Sequence, residues 1–252
     1  MAVSEPLKYR AKTLLVTGAG SGIGRAIAID LARQGLAVGV NDIDQAGAES
    51  VCAEISKASG RALAVPGDVS LAADVQQMVA LITEQWSSLD ALVNNAGFGQ
   101  YAPFEEISEA QFDQMIAVHL KGAFNCVQAV LPGMKDRGFG RIVLMSSVAG
   151  MTGTPSHAHY SMVKGGLIGL AKALAKEVAR DGITVNALAP GMIETPFLRA
   201  TTKELKDMYR ARTPLGRVGT PEDVAQVCSF LVSEGADYIT GQVISPNGGY
   251  LI

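Results

Sequence analysis

The hydrophobic positions along the chain fall into two alternating textures. Short aliphatic and β-branched runs at 13–17, 37–41, 62–66, 91–93, 141–145, 184–188 and 242–244 have the length of strands. Several are apolar throughout, the pattern of strands covered on both faces. Longer stretches at 22–34, 45–59, 71–86, 109–137, 157–180 and 221–233 carry apolar residues at helical spacing. Start signals support these helices: Ser70 precedes one, Ser108 and Gln111 stand at capping-box spacing, and Thr220-Pro221-Glu222-Asp223 sets an N-cap beside an N1 proline and early acids. The alternation predicts one α/β domain over 1–252, a doubly wound, Rossmann-like parallel sheet of about seven strands with helices on both faces. The irregular-looking stretch at 189–213 follows a strand at the ligand edge of such a sheet, so residues 190–213 are expected to form a substrate lid.

Composition narrows the function classes. With 48% hydrophobic and 18% charged residues in 252, the chain can bury a substantial core. A net charge of −3, with no basic block, carries neither a nucleic-acid nor a membrane-surface signature. Cys52, Cys126 and Cys228 stand far apart with no CxxC pair and no histidine at metal spacing, so no metal site is expected and a reducing compartment is. The first apolar run, Leu14-Leu15-Val16, is too short for a signal-peptide core, and the expectation is a soluble cytoplasmic protein.

The chemistry begins between the first strand and the first helix, at Thr17-Gly18-Ala19-Gly20-Ser21-Gly22-Ile23-Gly24. Glycines there let the backbone approach a pyrophosphate, and the helix N-terminus offers free N–H groups and a positive dipole. The second strand ends at Asn41-Asp42. A carboxylate in that place accepts from ribose hydroxyls and repels a 2′-phosphate. A like-charge pair about 4 Å apart is worth roughly 4 kcal/mol at an effective dielectric near 20, and even a fraction of that discriminates tenfold. No Arg or Lys in the glycine loop or just after Asp42 offsets it, so NAD is favoured over NADP. Asp68 stands where it can accept from an adenine amino group, with Val69 against the ring. Asn95-Ala96-Gly97 offers a small surface for the cofactor, and Asn94 a tie between strands. Plain turn chemistry is the alternative for both segments.

At the reacting end, Tyr160 and Lys164 are four apart on one helical face, and Ser147 closes the fifth strand thirteen residues before Tyr160. A hydride donor needs a partner that protonates a nascent alkoxide. Tyrosine does so near neutral pH only if its pKa falls by about three units, roughly 4 kcal/mol. A lysine ammonium and an oxidised nicotinamide favour the phenolate on that scale.

In order and spacing, this set resembles the short-chain dehydrogenase/reductase family over essentially the whole chain. Gly18, Gly22 and Gly24 match its cofactor loop, Asp42 its NAD-type acid, and Ser147, Tyr160 and Lys164 its catalytic residues. Pro190-Gly191, Ile193 and Thr195 match the segment after the sixth strand, where the resemblance implies contacts to the nicotinamide amide. His119 stands where the family usually has an asparagine whose backbone holds a relay water for the lysine. Two accounts of it stand: the ring packs and leaves that water in place, or the imidazole takes a relay role, which His119→Asn would expose by removing a titration near pH 6–7. His157 and His159 read as loop residues, with His157 also a candidate for the pocket wall.

The implied activity is NAD(H)-dependent interconversion of a secondary alcohol and a ketone. A 3-oxoacyl thioester reductase or 3-hydroxyacyl dehydrogenase is the alternative. The family's carrier-protein reductases dock through basic residues at two helix ends, which here match Gly138 and Asp181. A non-catalytic nucleotide-sensing subunit is more remote. The long helices carry more apolar surface than one sheet buries, and the resemblance implies a homotetramer.

Overall fold

The computed structural model describes residues 7–195, 198 and 203–252. Part of the expected lid, 196–197 and 199–202, lies outside these residues, as does the extreme N-terminus.

Seven strands form one parallel sheet in the order β3-β2-β1-β4-β5-β6-β7. They are β1 (Thr13–Val16), β2 (Ala37–Val40), β3 (Arg61–Ala64), β4 (Ala91–Asn94), β5 (Gly140–Met145), β6 (Ile183–Leu188) and β7 (Val243–Ile244). Leu14 pairs with Val38 on one side and Ala91 on the other, so the winding reverses between β1 and β4. The carboxyl ends flanking that reversal are where open α/β sheets bind ligands.

Successive strand residues serve opposite faces, which is why the strands read as unbroken apolar runs. Leu14, Val16, Val143 and Met145 join a core with α1 (Gly22–Arg33) and the helix Pro221–Val232. Leu15, Ile142 and Leu144 join a second core with α3 (Ala72–Trp86), α5 (Gly122–Asp136) and α7 (Ala158–Val178). α2 (Gln45–Lys57) packs Val51 and Ile55 into the first. At Gly39 an added Cβ would meet Ile82 Cδ1 at 2.4 Å, so α3 packs closely against β2 there.

Three expectations change. The stretch 109–137 is not one helix: α4 (Glu109–Ile116) runs into a π-helical turn, Ala117–Lys121, before α5. Its apolar periodicity is continuous, and the extra residue per turn is a tertiary adjustment that places His119 inward. Ser70 does not cap α3; the N-cap position is Leu71, without a side-chain bond, while Asp68 Oδ1 accepts from the Ser70 N–H at 2.8 Å. Within the stretch expected to form a lid, α8 (Lys203–Arg212) is helical, supported on its exposed face by Lys203–Asp207 at 2.6 Å and Arg210–Asp207 at 3.4 Å. The boxes at Ser108/Gln111 and Thr220/Asp223 both form as expected, the second opening α9 (Pro221–Val232).

Candidate active site

β1 ends at Val16 and the chain turns through Gly18, whose φ of +62° belongs to the left-handed region. A Cβ on Gly24 would lie 2.2 Å from the Gly18 carbonyl oxygen, so helix and loop approach more closely than any side chain permits. The first-turn N–H groups of α1 have no intrahelical carbonyl to meet, and Ser21 makes no capping bond. That is the donor set a pyrophosphate takes.

Asp42 folds back on this loop, accepting from the Gly20 N–H at 2.9 Å and the Asp44 N–H at 3.0 Å. Arg25, in the first turns of α1, is paired with Glu54. Asp68 is held by its Ser70 contact, and its own N–H donates to Asp74 at 2.9 Å. Val69 is buried beneath Gly122, with its carbonyl accepting from Asn125 at 2.9 Å.

The tie between β1 and β4 is made by Asn95, not by Asn94. Asn95 Nδ2 donates to the carbonyls of Thr17 (2.9 Å) and Gly18 (3.1 Å), while the buried Asn94 Oδ1 has no partner. Thr17 Oγ1 completes the junction by accepting from the N–H groups of Asn95 and Ala96, each at 3.0 Å. Strand-end threonines are too common for sequence to single this one out; only the β1–β4 pairing brings its partners close.

Ser147 follows β5 and caps the short helix α6 (Val148–Thr152), its Oγ accepting from the Ala149 N–H at 3.1 Å. α6 returns the chain tightly against α7: a Cβ on Gly150 would sit 2.5 Å from the Lys164 carbonyl carbon. Ser146 Oγ donates to the Lys164 carbonyl oxygen at 2.8 Å, tying the strand end to the helix. Tyr160 and Ser147 thereby share a side-chain hydrogen bond. The Lys164 ammonium, fully sequestered, donates to the Met145 carbonyl at 2.7 Å and lies 5.5 Å from the Tyr160 ring centroid.

The protein's own electrostatics here do not favour the phenolate. Burial raises the Tyr160 pKa, and the Ser147 hydrogen bond opposes it. Burial also pushes the Lys164 ammonium down to about 7. Both shifts share one cause, the loss of water around a charge.

His119 is buried in the π turn. Its Nε2 lies 2.9 Å from the Phe98 carbonyl oxygen and 3.2 Å from the Phe98 nitrogen, and Nδ1 has no partner. The ring fills the space above Gly97, where a Cβ would meet it at 2.3 Å, and contacts Tyr160 edge-on at 5.8 Å. Desolvation, then the Lys164 charge, pushes its pKa down to about 2.

A cavity of about 370 Å³ joins these parts. Its wall includes Gly18, Ser21, Gly22, Ile23, Asn95 and Gly97 on the cofactor side, and Ser147, Tyr160, Lys164 and His119 on the reacting side. Pro190, Gly191, Ile193 and Thr195 close it from the β6 loop, with Tyr209 from α8. Gly24, Asp42, Asp68, Val69 and Ala96 stand outside this wall, Asp42 and Asp68 just past the ends of β2 and β3. Among the described residues no cluster of His, Cys, Asp or Glu forms a metal site, and no helix is long and apolar enough to cross a membrane.

Comparison with known proteins finds matches over nearly the whole chain. A family model described as enoyl-(acyl carrier protein) reductase matches residues 18–251. The 3-oxoacyl-[acyl-carrier-protein] reductase FabG of Staphylococcus aureus (strain Mu50) is 43% identical over 239 residues, covering 94% of this chain and 97% of the relative. The FabG of Thermotoga maritima is 39% identical over 246 residues, 98% of this chain and 100% of the relative. A solved structure from Agrobacterium tumefaciens, provisionally assigned as a gluconate dehydrogenase, superposes with a TM-score of 0.93 at 33% identity, covering 96% of this chain and 97% of its own.

Proposed function

The chain belongs to the short-chain dehydrogenase/reductase family and is an oxidoreductase acting on CH–OH groups; from that premise we propose that it interconverts a secondary alcohol and a ketone with NAD(H). The observation that carries this reading is the convergence of Ser147, Tyr160 and Lys164 on the cavity that the glycine loop also lines. A bound nicotinamide dinucleotide supplies the hydride and, when oxidised, a positive charge beside Tyr160.

The residues present fit such a cofactor. Gly18, Ser21, Gly22, Ile23 and Gly24 form the pyrophosphate cradle, Asp42 takes the adenosine ribose, and Asp68 and Val69 flank the adenine. Asn95, Ala96 and Gly97 line the path between the halves, and Pro190, Gly191, Ile193 and Thr195 the nicotinamide end. Ser147 holds the substrate oxygen, Tyr160 gives or takes its proton, and Lys164 favours the phenolate and holds the nicotinamide ribose. His119 supports this arrangement by packing: its ring braces the Gly97–Phe98 turn and stays neutral across working pH. On this reading the rate profile contains no histidine titration near pH 6–7.

NAD preference rests on Asp42, whose carboxylate, bonded to the Gly20 N–H, would repel a 2′-phosphate, with Arg25 of α1 engaged by Glu54. A second reading, reduction of a 3-oxoacyl thioester, is favoured by the FabG relatives. Against carrier-protein docking stands Asp181, an acid paired with Lys135 at 3.5 Å where the family's carrier reductases place a base. Assembly as a homotetramer and residence in the cytoplasm belong to the same reading, the latter supported by three free cysteines.

The test is steady-state turnover of secondary alcohols, diols, sugars and hydroxyacyl thioesters with NAD and with NADP. Turnover with NAD, lost by about a thousandfold or more in Tyr160→Phe, is the expected result. A strong NADP preference removes the role given to Asp42, and wild-type inactivity with intact coenzyme binding favours a nucleotide sensor.

A further inference from the structure

A column of aromatic rings stands beside the reacting tyrosine. His157 lies between Tyr101 and Tyr160, stacked on the first with centroids 3.7 Å apart at 15° and on the second at 4.7 Å and 26°. Its side chain is buried, and Nε2 meets no hydrogen-bond partner. Tyr101, at the cavity mouth, shares a hydrogen bond with Tyr209 of α8. His157 precedes α7 at its N-cap position but makes no capping bond, so the local helix start does not account for the ring's placement.

We infer that His157 is a positioning residue for Tyr160: its ring bars the phenol from swinging toward the cavity mouth and shields that face from water. This rests on the assignment of Tyr160 as the proton donor and acceptor.

The argument is one of contacts. His119 stands perpendicular to the Tyr160 ring at 5.8 Å, and Lys164 lies 5.5 Å from its centroid. The stacked face is met by His157. A group that transfers a proton must hold its oxygen within hydrogen-bond reach of both Ser147 and the substrate, and a displacement of about 1 Å costs about a hundredfold in rate. Stacking supplies that restraint without a polar bond, which explains why a buried histidine nitrogen goes unpartnered. Burial pushes the His157 pKa down to about 4, so the ring is neutral when the enzyme works and adds no charge to the phenol face. An aromatic side chain of similar width therefore performs the same task without any ring nitrogen.

The test compares His157→Ala, His157→Phe and wild type. His157→Ala is expected to lower kcat about tenfold or more with the substrate KM little changed, and His157→Phe to restore kcat to within about threefold. An ultraviolet titration of tyrosine ionisation, with Tyr160→Phe as reference, reads the same contact without turnover. Opening the face in His157→Ala moves the Tyr160 ionisation down from its raised value, and His157→Phe leaves it there. Melting temperatures identify any variant that fails to fold, and His157→Phe carries the test should His157→Ala do so. A higher KM in both variants at unchanged kcat makes His157 a substrate contact and overturns the inference, as does an unshifted ionisation in a folded His157→Ala. Wild-type inactivity with a shifted ionisation would instead strike the proposed function alone.

Discussion

The ionisable residues beneath the cavity carry a desolvation cost that can be measured without a substrate. Lys164 is charged in both folded and unfolded states below pH 7, so the folded protein bears the whole cost there. Between about 7 and 10.5 the unfolded chain holds a proton that the folded one lacks, and the cost fades as pH rises. Lys164→Met is therefore expected to raise the stability of the coenzyme-free protein at pH 6 by several kcal/mol, on the order of 5. The gain should shrink toward zero as the pH approaches the unfolded-state value. Calorimetry at pH 6 and at pH 9.5 checks this, and an equal gain at both contradicts it. His119 and His157 also have lowered values, about 2 and about 4, and remain neutral while the unfolded chain protonates below its value of 6.5. Stability accordingly falls as pH drops below 6.5. At this scale the sequence identifies the reactive types, because Tyr160, Lys164 and Ser147 have recognisable spacing. The sign of their shifts was illegible, since desolvation depends on what covers them.

At the scale of elements, the junction between β1 and α1 is the most constrained. Gly24→Ala drives a methyl group onto a backbone carbonyl that cannot yield, so a loss of about 1–3 kcal/mol in stability is expected. Weaker coenzyme binding should follow as the loop shifts. Thermal melts with and without NAD check both effects, and an unaltered response to NAD contradicts the loop's assigned role. This junction was legible because glycine spacing between a strand and a helix is a local pattern. The π turn at Ala117–Lys121 was not. Its sequence continues the helical periodicity of α4 and α5, and the wider turn answers to the packing of His119 against the Gly97–Phe98 turn. α8 was missed for a related reason: its charged sequence hides a helix whose exposed face is held by ion pairs rather than by an apolar stripe.

Across the described residues several large apolar side chains stand exposed. They include Phe112 on α4, Phe124 on α5, Met162 on α7 and Phe230 on α9, with Tyr238 and Ile252 near the C-terminal end of the described residues. We propose that such side chains are covered in a homotetramer with two-fold axes. Sedimentation at micromolar concentration is expected to show a species of four chains, and Phe124→Arg a smaller one; a wild-type monomer contradicts the prediction. The sequence by itself determined the alternation of strands and helices, the parallel sheet, the cofactor loop and the spacing of the reacting residues. Each of these is local, set by the periodicity of burial or by a turn that only glycine makes. Tertiary structure decided that Asn95 rather than Asn94 joins the strands, that His119 is sealed in a neutral state, and that His157 stacks on Tyr160. These depend on contacts between segments distant along the chain, where a neighbour's shape and the exclusion of water decide whether a side chain bonds, packs or ionises.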